Sequence, residues 1–507
     1  MLSFGTAGLR GPVRDGPDGM NVENVTRATA GLAAWLTARG HAGRTVVVGR
    51  DARHGSDRFA AATRDVFAAA GFDVVALPDP GPTPLVAFAC RALDAAAGVM
   101  ITASHNPAAD NGYKVYLDGG AQLVEPADRE IEAAIAAVDP STVRRTPCAP
   151  DERARGVRAD YLARLADRFP PVAAPSVRIA LTAMHGVGGR LAVDALARAG
   201  FPDVHPVAEQ FAPDPDFPTV AFPNPEEPGA TDLLLDHARR VDADLAIALD
   251  PDADRCAVGV RVGDAWRMLT GDETGALLGD AILDAAAPDA VVASSIVSGT
   301  LMDSIARARG FDARRTLTGF KWLVRAGEPL VYAYEEALGH CVDPAAVRDK
   351  DGVSAAIAAA RIAQSWRGRG GLGAALDALM ARYGVHMTAG RSVRFDSPAD
   401  GDALTRALRH RPPTTIAGFA ITVNDYLTRG DRLRTDAIEL SGTDGDGRTL
   451  RVIARPSGTE PKMKFYGQMT RPAGPDTVES VRARMETQLQ RAIDDVLDAA
   501  RAEEPNR

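Results

Sequence analysis

Leu245-Ala246-Ile247-Ala248-Leu249-Asp250-Pro251-Asp252-Ala253-Asp254-Arg255 runs from five apolar residues straight into three carboxylates at alternate positions. The apolar run reads as a strand buried on both faces, the kind that builds parallel α/β sheets. Such sheets carry their working loops beyond the carboxyl ends of the strands. Alternate carboxylates in an extended turn aim their oxygens at one spot, and like charges held that close repel unless a cation lies among them. The stretch therefore predicts a hard divalent cation on Asp250, Asp252 and Asp254. It lacks the downstream Gly and Glu spacing of an EF-hand loop. Read alone, the same residues also suit an acidic turn in water.

A second apolar run, Gly98-Val99-Met100-Ile101, ends in Thr102-Ala103-Ser104-His105-Asn106-Pro107. A strand followed by such a turn holds Ser104 at the mouth of a cleft. No Gly-x-Ser-x-Gly elbow surrounds it, and neighbouring side chains in an extended turn diverge, so a Ser-His pair with His105 is not implied. A phosphate on Ser104 would need a metal, backbone N–H groups and cations around it. Mg2+ at the aspartates would take a phosphate oxygen as a further ligand, and Lys114 and Arg255 could stabilise the transferring charge. Ser104 as a turn residue capping a helix is the plainer alternative.

Two further loops follow strand-like runs. Arg455-Pro456-Ser457-Gly458-Thr459 follows Leu450–Ala454; its glycine between hydroxyl residues lets N–H groups turn outward, and Arg455 supplies a planar fork for phosphate. Tyr334-Glu335-Glu336-Ala337-Leu338-Gly339-His340 follows Leu330–Ala333, and its carboxylates could accept sugar hydroxyls or, more plainly, begin a helix. His185-Gly186-Val187-Gly188-Gly189 lacks the full dinucleotide fingerprint.

At 507 residues the chain exceeds one ordinary core and predicts three or four domains at about 100–200 residues each. Strand-like and helix-like segments alternate to about residue 390, as in Thr45–Gly49, a helix near 57–70 and Asp73–Ala76. A last amphipathic helix, about 478–500, repeats Val481, Met485, Leu489, Ile493 and Val496 and packs a smaller terminal domain. A net charge of −9 argues against a nucleic-acid partner. With no apolar run of 18 residues and no basic-then-apolar start, the expectation is a cytoplasmic enzyme without a membrane span. Cys90, Cys148, Cys256 and Cys341 show neither zinc spacing nor a disulfide framework.

Taken in order, these loops, with Phe4-Gly5-Thr6-Ala7-Gly8-Leu9-Arg10-Gly11 and Gly319-Phe320-Lys321, resemble the alpha-D-phosphohexomutase superfamily of phosphoglucomutases and phosphomannomutases. The resemblance spans nearly the whole chain. It implies an α/β fold: three consecutive α/β domains with mixed or parallel sheets and a smaller α+β C-terminal domain, around a central cleft. The domains expected are 1–150 for phosphoserine, 151–287 for metal, 288–395 for sugar and 396–507 for phosphate. Ser104 would be the phosphoserine and, through its phosphate, a ligand of Mg2+ beside Asp250, Asp252 and Asp254. Arg10, His105, Lys114 and Arg255 would surround the transferring phosphoryl. Arg455, Ser457, Gly458 and Thr459 would hold the non-reacting phosphate, and Glu335, Glu336, Lys321 and His340 would contact the substrate. The activity implied interconverts the 1-phosphate and 6-phosphate, or 5-phosphate, of an aldose through a phosphoserine enzyme and a sugar bisphosphate intermediate, as a phosphoglucomutase or phosphomannomutase or, alternatively, a phosphopentomutase, with a bisphosphate such as glucose 1,6-bisphosphate as activator. Tyr334 and Ala337 stand where the family's common sugar loop has glycine and serine. Ala7 and Thr318-Gly319-Phe320-Lys321-Trp322 resemble the branch that includes phosphopentomutases. A sugar phosphatase, in which water discharges the phosphoserine, is the rival chemistry.

Overall fold

The computed structural model describes residues 2, 4, 8–395, 398–456 and 462–501. Its first three sheets follow one plan. A strand, a helix, a second parallel strand, a further helix and a third parallel strand lead at once into an antiparallel fourth. The first unit uses strands Thr45–Arg50, Asp73–Ala76, Ala97–Ile101 and Asp110–Leu117. The second uses Ile179–Thr182, Val204–Pro206, Leu245–Leu249 and Cys256–Val262. The third uses Val291–Ser295, Asp312–Thr316, Leu330–Glu335 and Gly339–Cys341. Across each sheet the order is second, first, third, fourth. The third strand is therefore central and fully buried in the first two units, which is why Ala97–Ile101 and Leu245–Leu249 carry no alternation.

This plan positions the chemistry. In each unit the third strand runs out at its carboxyl end, turns, and returns antiparallel along its own edge. The three turns carry Ser104, the aspartates and Glu336. Each includes a non-glycine residue in the left-handed region: Ser104 at φ +53°, Ala253 at +50° and Leu338 at +62°. The His185–Gly189 segment serves as backing. Val187 donates to the Pro251 carbonyl at 2.8 Å, and a Cβ on Gly186 would lie 2.3 Å from the Pro251 Cα. Only glycine permits that approach.

The C-terminal unit is an antiparallel sheet in the order Val385–Arg394, Lys462–Arg471, Thr449–Pro456, Ile438–Thr443, Thr422–Asp425. Helix Val478–Arg501 lies against it and buries the five predicted apolar residues, each worth about 1.5–3 kcal/mol. Two domain edges differ from the expected ones. Helix Gly271–Leu283 packs on helix Leu301–Ala308 and strand Leu330–Glu335, so the third domain starts near 270 and not at 288. Strand Val385–Arg394 pairs along its whole length with Lys462–Arg471, so the last domain begins with that strand and not at 396. Pro and Gly punctuate turns within and between domains alike, and a strand's sheet is set by a partner far along the chain. Among the described residues no helix is long and apolar enough to cross a membrane.

Candidate active site

The serine turn is built by local hydrogen bonds and one buried arginine. Thr102 Oγ1 accepts the Ser104 N–H at 2.9 Å, fixing the turn that carries Ser104 into the left-handed region. Arg53 then binds the loop from beneath. Its guanidinium donates to the carbonyls of Ser104 at 2.5 Å, Asn106 at 2.6 Å, Pro107 at 2.8 Å and Asp110 at 3.2 Å. Asp51 lies 3.3 Å from the Arg53 Nε and is held by the Ser56 hydroxyl at 2.5 Å. Both side chains of this pair are buried. The cost of a positive φ at a serine, about 1–3 kcal/mol, is thus offset by a fork that satisfies four carbonyls at once.

Across the domain interface the Ser104 hydroxyl donates to Asp250 Oδ2 at 2.9 Å. The carboxylate oxygens of Asp250, Asp252 and Asp254 lie within 4.8 Å of one another, all buried. Lys114, projecting from the strand beside the serine loop, reaches Asp252 at 2.6 Å and Asp254 at 2.9 Å. Thr83 donates to Asp252 at 2.6 Å, and Lys350 approaches Asp254 at 3.2 Å. One oxygen each of Asp252 and Asp254 has no partner although buried. A hard divalent cation fits that donor set: two orphaned carboxylate oxygens beside a third carboxylate, with a serine hydroxyl at hand.

The charges divide unequally. Burial and the other two carboxylates push the Asp250 carboxyl well above the usual range. Burial also works against Asp252 and Asp254, but Lys114, and for Asp254 Lys350 and Arg255, hold both below it. Lys114 stays an ammonium: burial opposes its charge, yet Asp252 and Asp254 carry it above the ordinary lysine value. Burial, with Arg255 and Arg10 nearby, keeps His105 well below the usual imidazole range. Arg255 donates to His105 Nδ1 at 2.7 Å, whereas that nitrogen is 3.3 Å from the Ser104 hydroxyl. A neutral His105 accepting from Arg255 carries its proton on Nε2, so no Ser-His dyad forms. Arg10 meets the same loop, donating to Asn106 at 3.0 Å.

A cleft of about 1390 Å³ opens in front of these groups, with Arg10, His105, Arg255, Glu336, Ala337 and Lys464 in its walls. Glu336 is anchored by the Ser295 and Ser298 hydroxyls at 3.0 and 3.1 Å. Glu335 feels Lys350 and Arg255, and burial raises both glutamates. Arg455, one residue before the end of its strand, lies opposite Lys464; Ser457, Gly458 and Thr459 lie outside the described residues. Two expected contacts are placed elsewhere. His340 is fully buried against Tyr332, whose hydroxyl is 3.1 Å from Nδ1, and burial pushes it down to about 3. On its short strand, His340 alternates away from the cleft. Lys321 lies over the Trp322 ring at 5.1 Å and faces Asp128 and Glu125, apart from the cleft wall. Tyr334 also turns inward: its hydroxyl donates to Asp272 and to the Gly299 carbonyl, both at 3.1 Å.

Three participants escape sequence reading: Arg53, Thr83 and Lys350. Arg53 acts through backbone carbonyls that no side-chain pattern encodes. Lys350 left a faint signal, for Asp349-Lys350-Asp351-Gly352 precedes an apolar helix and Asp351 caps it. The same segment ties the three α/β domains together. Asp349 accepts from Tyr116 at 2.7 Å and Gln122 at 2.8 Å, Lys350 meets Asp254, and Gly352 N–H donates to the Ala253 carbonyl at 3.2 Å.

Residues 1–142, 159–263 and 270–383 match the models of phosphoglucomutase/phosphomannomutase alpha/beta/alpha domains I, II and III. A protein of Haemophilus influenzae described as a probable phosphomannomutase is 40% identical over 459 residues, covering 88% of this chain and 92% of its own. A probable phosphoribomutase of Schizosaccharomyces pombe is 36% identical over 510 residues, covering 92% of this chain and 86% of its own. In three dimensions, the open form of the Paramecium phosphoprotein pp63/parafusin, a phosphoglucomutase, superposes with a TM-score of 0.73 at 17% identity, covering 100% of this chain and 96% of the other. This chain therefore belongs to the alpha-D-phosphohexomutase superfamily and is a phosphomutase.

Proposed function

We propose that the chain moves a phosphoryl group between the 1-position and the 6-position of an aldohexose, in the manner of a phosphoglucomutase or phosphomannomutase, through phosphorylated Ser104 and a sugar bisphosphate. The observation that carries this reading is the Ser104 hydroxyl 2.9 Å from Asp250, beside two aspartates with orphaned buried oxygens. In the forward step a sugar hydroxyl attacks the phosphorus and the bond to Ser104 Oγ breaks; the proton that hydroxyl loses ends on Ser104 Oγ, leaving the free serine hydroxyl and the bisphosphate. After the intermediate turns over, Ser104 takes back the other phosphate. Mg2+ on Asp250, Asp252 and Asp254 would neutralise charge on the transferring group. Lys114 and Arg255 add fixed positive charge, and His105 offers a neutral N–H from Nε2. Such transfer depends mainly on alignment and charge neutralisation, which suits a lysine locked as an ammonium rather than acting as a base. Glu335 and Glu336 are the acceptors for sugar hydroxyls, and Arg455, with Ser457, Gly458 and Thr459, would hold the phosphate at rest.

A pentose 1-phosphate to 5-phosphate activity is the second reading, favoured by the match to the S. pombe relative over more of the chain. Ala337 in the cleft wall also leaves the sugar loop without a hydroxyl. A panel of glucose, mannose, glucosamine, ribose and deoxyribose 1-phosphates, with Mg2+ and trace glucose 1,6-bisphosphate, separates the two. One substrate should exceed the others by at least about tenfold in kcat/KM, and Ser104→Ala should abolish turnover of all. Undiminished turnover by Ser104→Ala would reject the phosphoserine route.

A further inference from the structure

One wall of the cleft is not accounted for by the loops above. Between helices Ala208–Phe211 and Asp232–Arg240 the second domain sends out a strap, residues 212–230. It carries Pro213, Pro215, Pro218, Pro223, Pro225 and Pro228, so its backbone is stiff before any ligand arrives. The base of the strap is fixed at the seam between the first two domains. Phe217 is buried beneath the Arg53 guanidinium, 4.8 Å from its ring centre, and Thr219 is held by His185 at 2.9 Å and Gln210 at 2.8 Å. Asp216 meets His54 of the first domain at 2.7 Å.

The tip faces the cleft, with Pro223, Asn224 and Pro225 buried and Phe222 and Glu226 exposed on either side of them. Of the four large apolar side chains that stand exposed among the described residues, Phe222, Val262, Val423 and Leu427, Phe222 alone lines the cleft, with 46% of its surface open. Glu226 lines it too, its backbone N–H donating to Asn224 Oδ1 at 3.2 Å and its carboxylate facing Arg255 and Lys464, with no ion-pair partner among the described residues. A bare aromatic face and an unpaired carboxylate a few residues apart suit a ligand with an apolar ring face and hydroxyls at its edge. We propose that the strap is a substrate-contacting wall, in which Phe222 packs on the C–H face of the sugar ring and Glu226 accepts its hydroxyls, holding the bisphosphate while its two phosphates exchange places. The proposal rests on the mutase reading for its intermediate, but its contacts can be measured without turnover.

Calorimetric titration of the full chain with glucose 1,6-bisphosphate, ribose 1,5-bisphosphate and inorganic phosphate tests it, comparing wild type with Phe222→Ala, Phe222→Tyr and Glu226→Gln. Phe222→Ala and Glu226→Gln should each weaken the better-bound bisphosphate about tenfold, Phe222→Tyr should keep it, and inorganic phosphate should bind all four within about twofold. In turnover, the two weakened variants should release more free bisphosphate and need more of it added. Bisphosphate affinities within twofold of wild type in both variants would overturn the proposal. Equal loss of inorganic phosphate binding would also overturn it, because that marks damage to the anion site. A wild type that binds bisphosphates but isomerises nothing would instead defeat the mutase reading and leave the strap contacts standing on the binding data.

Discussion

Arg53 shows how much of this site one buried side chain supports. It is the shared donor for four carbonyls of the serine loop and the partner of Asp51. Arg53→Met would leave those carbonyls without a donor and the buried Asp51 carboxylate without its cation, and urea unfolding should show a loss of about 3–5 kcal/mol. Arg53→Lys keeps the charge but not the fork, so it should recover part of the stability and little of the activity. The reactive residues themselves are legible in the sequence because their chemistry imposes a spacing: alternate aspartates after an apolar run, and a serine in a turn after another. Arg53 imposes none, since its partners are backbone atoms about fifty residues away. Sequence also cannot tell which face a strand residue takes. His340 stands five positions after Glu335, yet the pleat sends it into the core with Tyr332 and Tyr334.

At the scale of elements, the C-terminal sheet docks on the turn after strand Val291–Ser295. Arg451 donates to the carbonyls of Ile296 at 3.1 Å and Ser298 at 2.6 Å, and Gln468 donates to the Thr300 hydroxyl at 2.7 Å. His386 sits in this seam, 3.0 Å from the Thr300 hydroxyl and 3.3 Å from Gln468, and faces Asp303, Arg315 and Arg451. Burial pushes it down to about 4. The folded chain thus keeps His386 neutral where the unfolded chain, with an ordinary value near 6.5, is already protonated. Its contribution is complete above about pH 6.5 and is lost as pH falls toward 4, a difference of about 3 kcal/mol. Urea unfolding at pH 7 and pH 4.5 should show His386→Gln losing less stability than wild type over that interval; an equal loss would place the acid sensitivity elsewhere. The repeated α/β units are readable from alternating apolar runs because each is local. The seam and the true start of the last domain are not, because strand Val385–Arg394 finds its partner only after the rest of its sheet's sequence has passed.

Over the whole molecule, the threefold plan explains why one chain can gather so many charges at a point. Each α/β unit delivers a turn beyond its third strand, and the segment Asp349–Gly352 joins the three units at the aspartates. The central claim is that this meeting passes phosphate from Ser104 to a sugar and back, with water kept out. The direct measurement is label transfer: enzyme charged from glucose 1,6-bisphosphate carrying radioactive phosphate, its Ser104 peptide identified by mass spectrometry, then chased with the unlabelled sugar monophosphate that the panel prefers. The account predicts label on Ser104 that leaves within one turnover into sugar phosphates, with inorganic phosphate a minor product. Label that never reaches Ser104, or that leaves chiefly as inorganic phosphate, would contradict it.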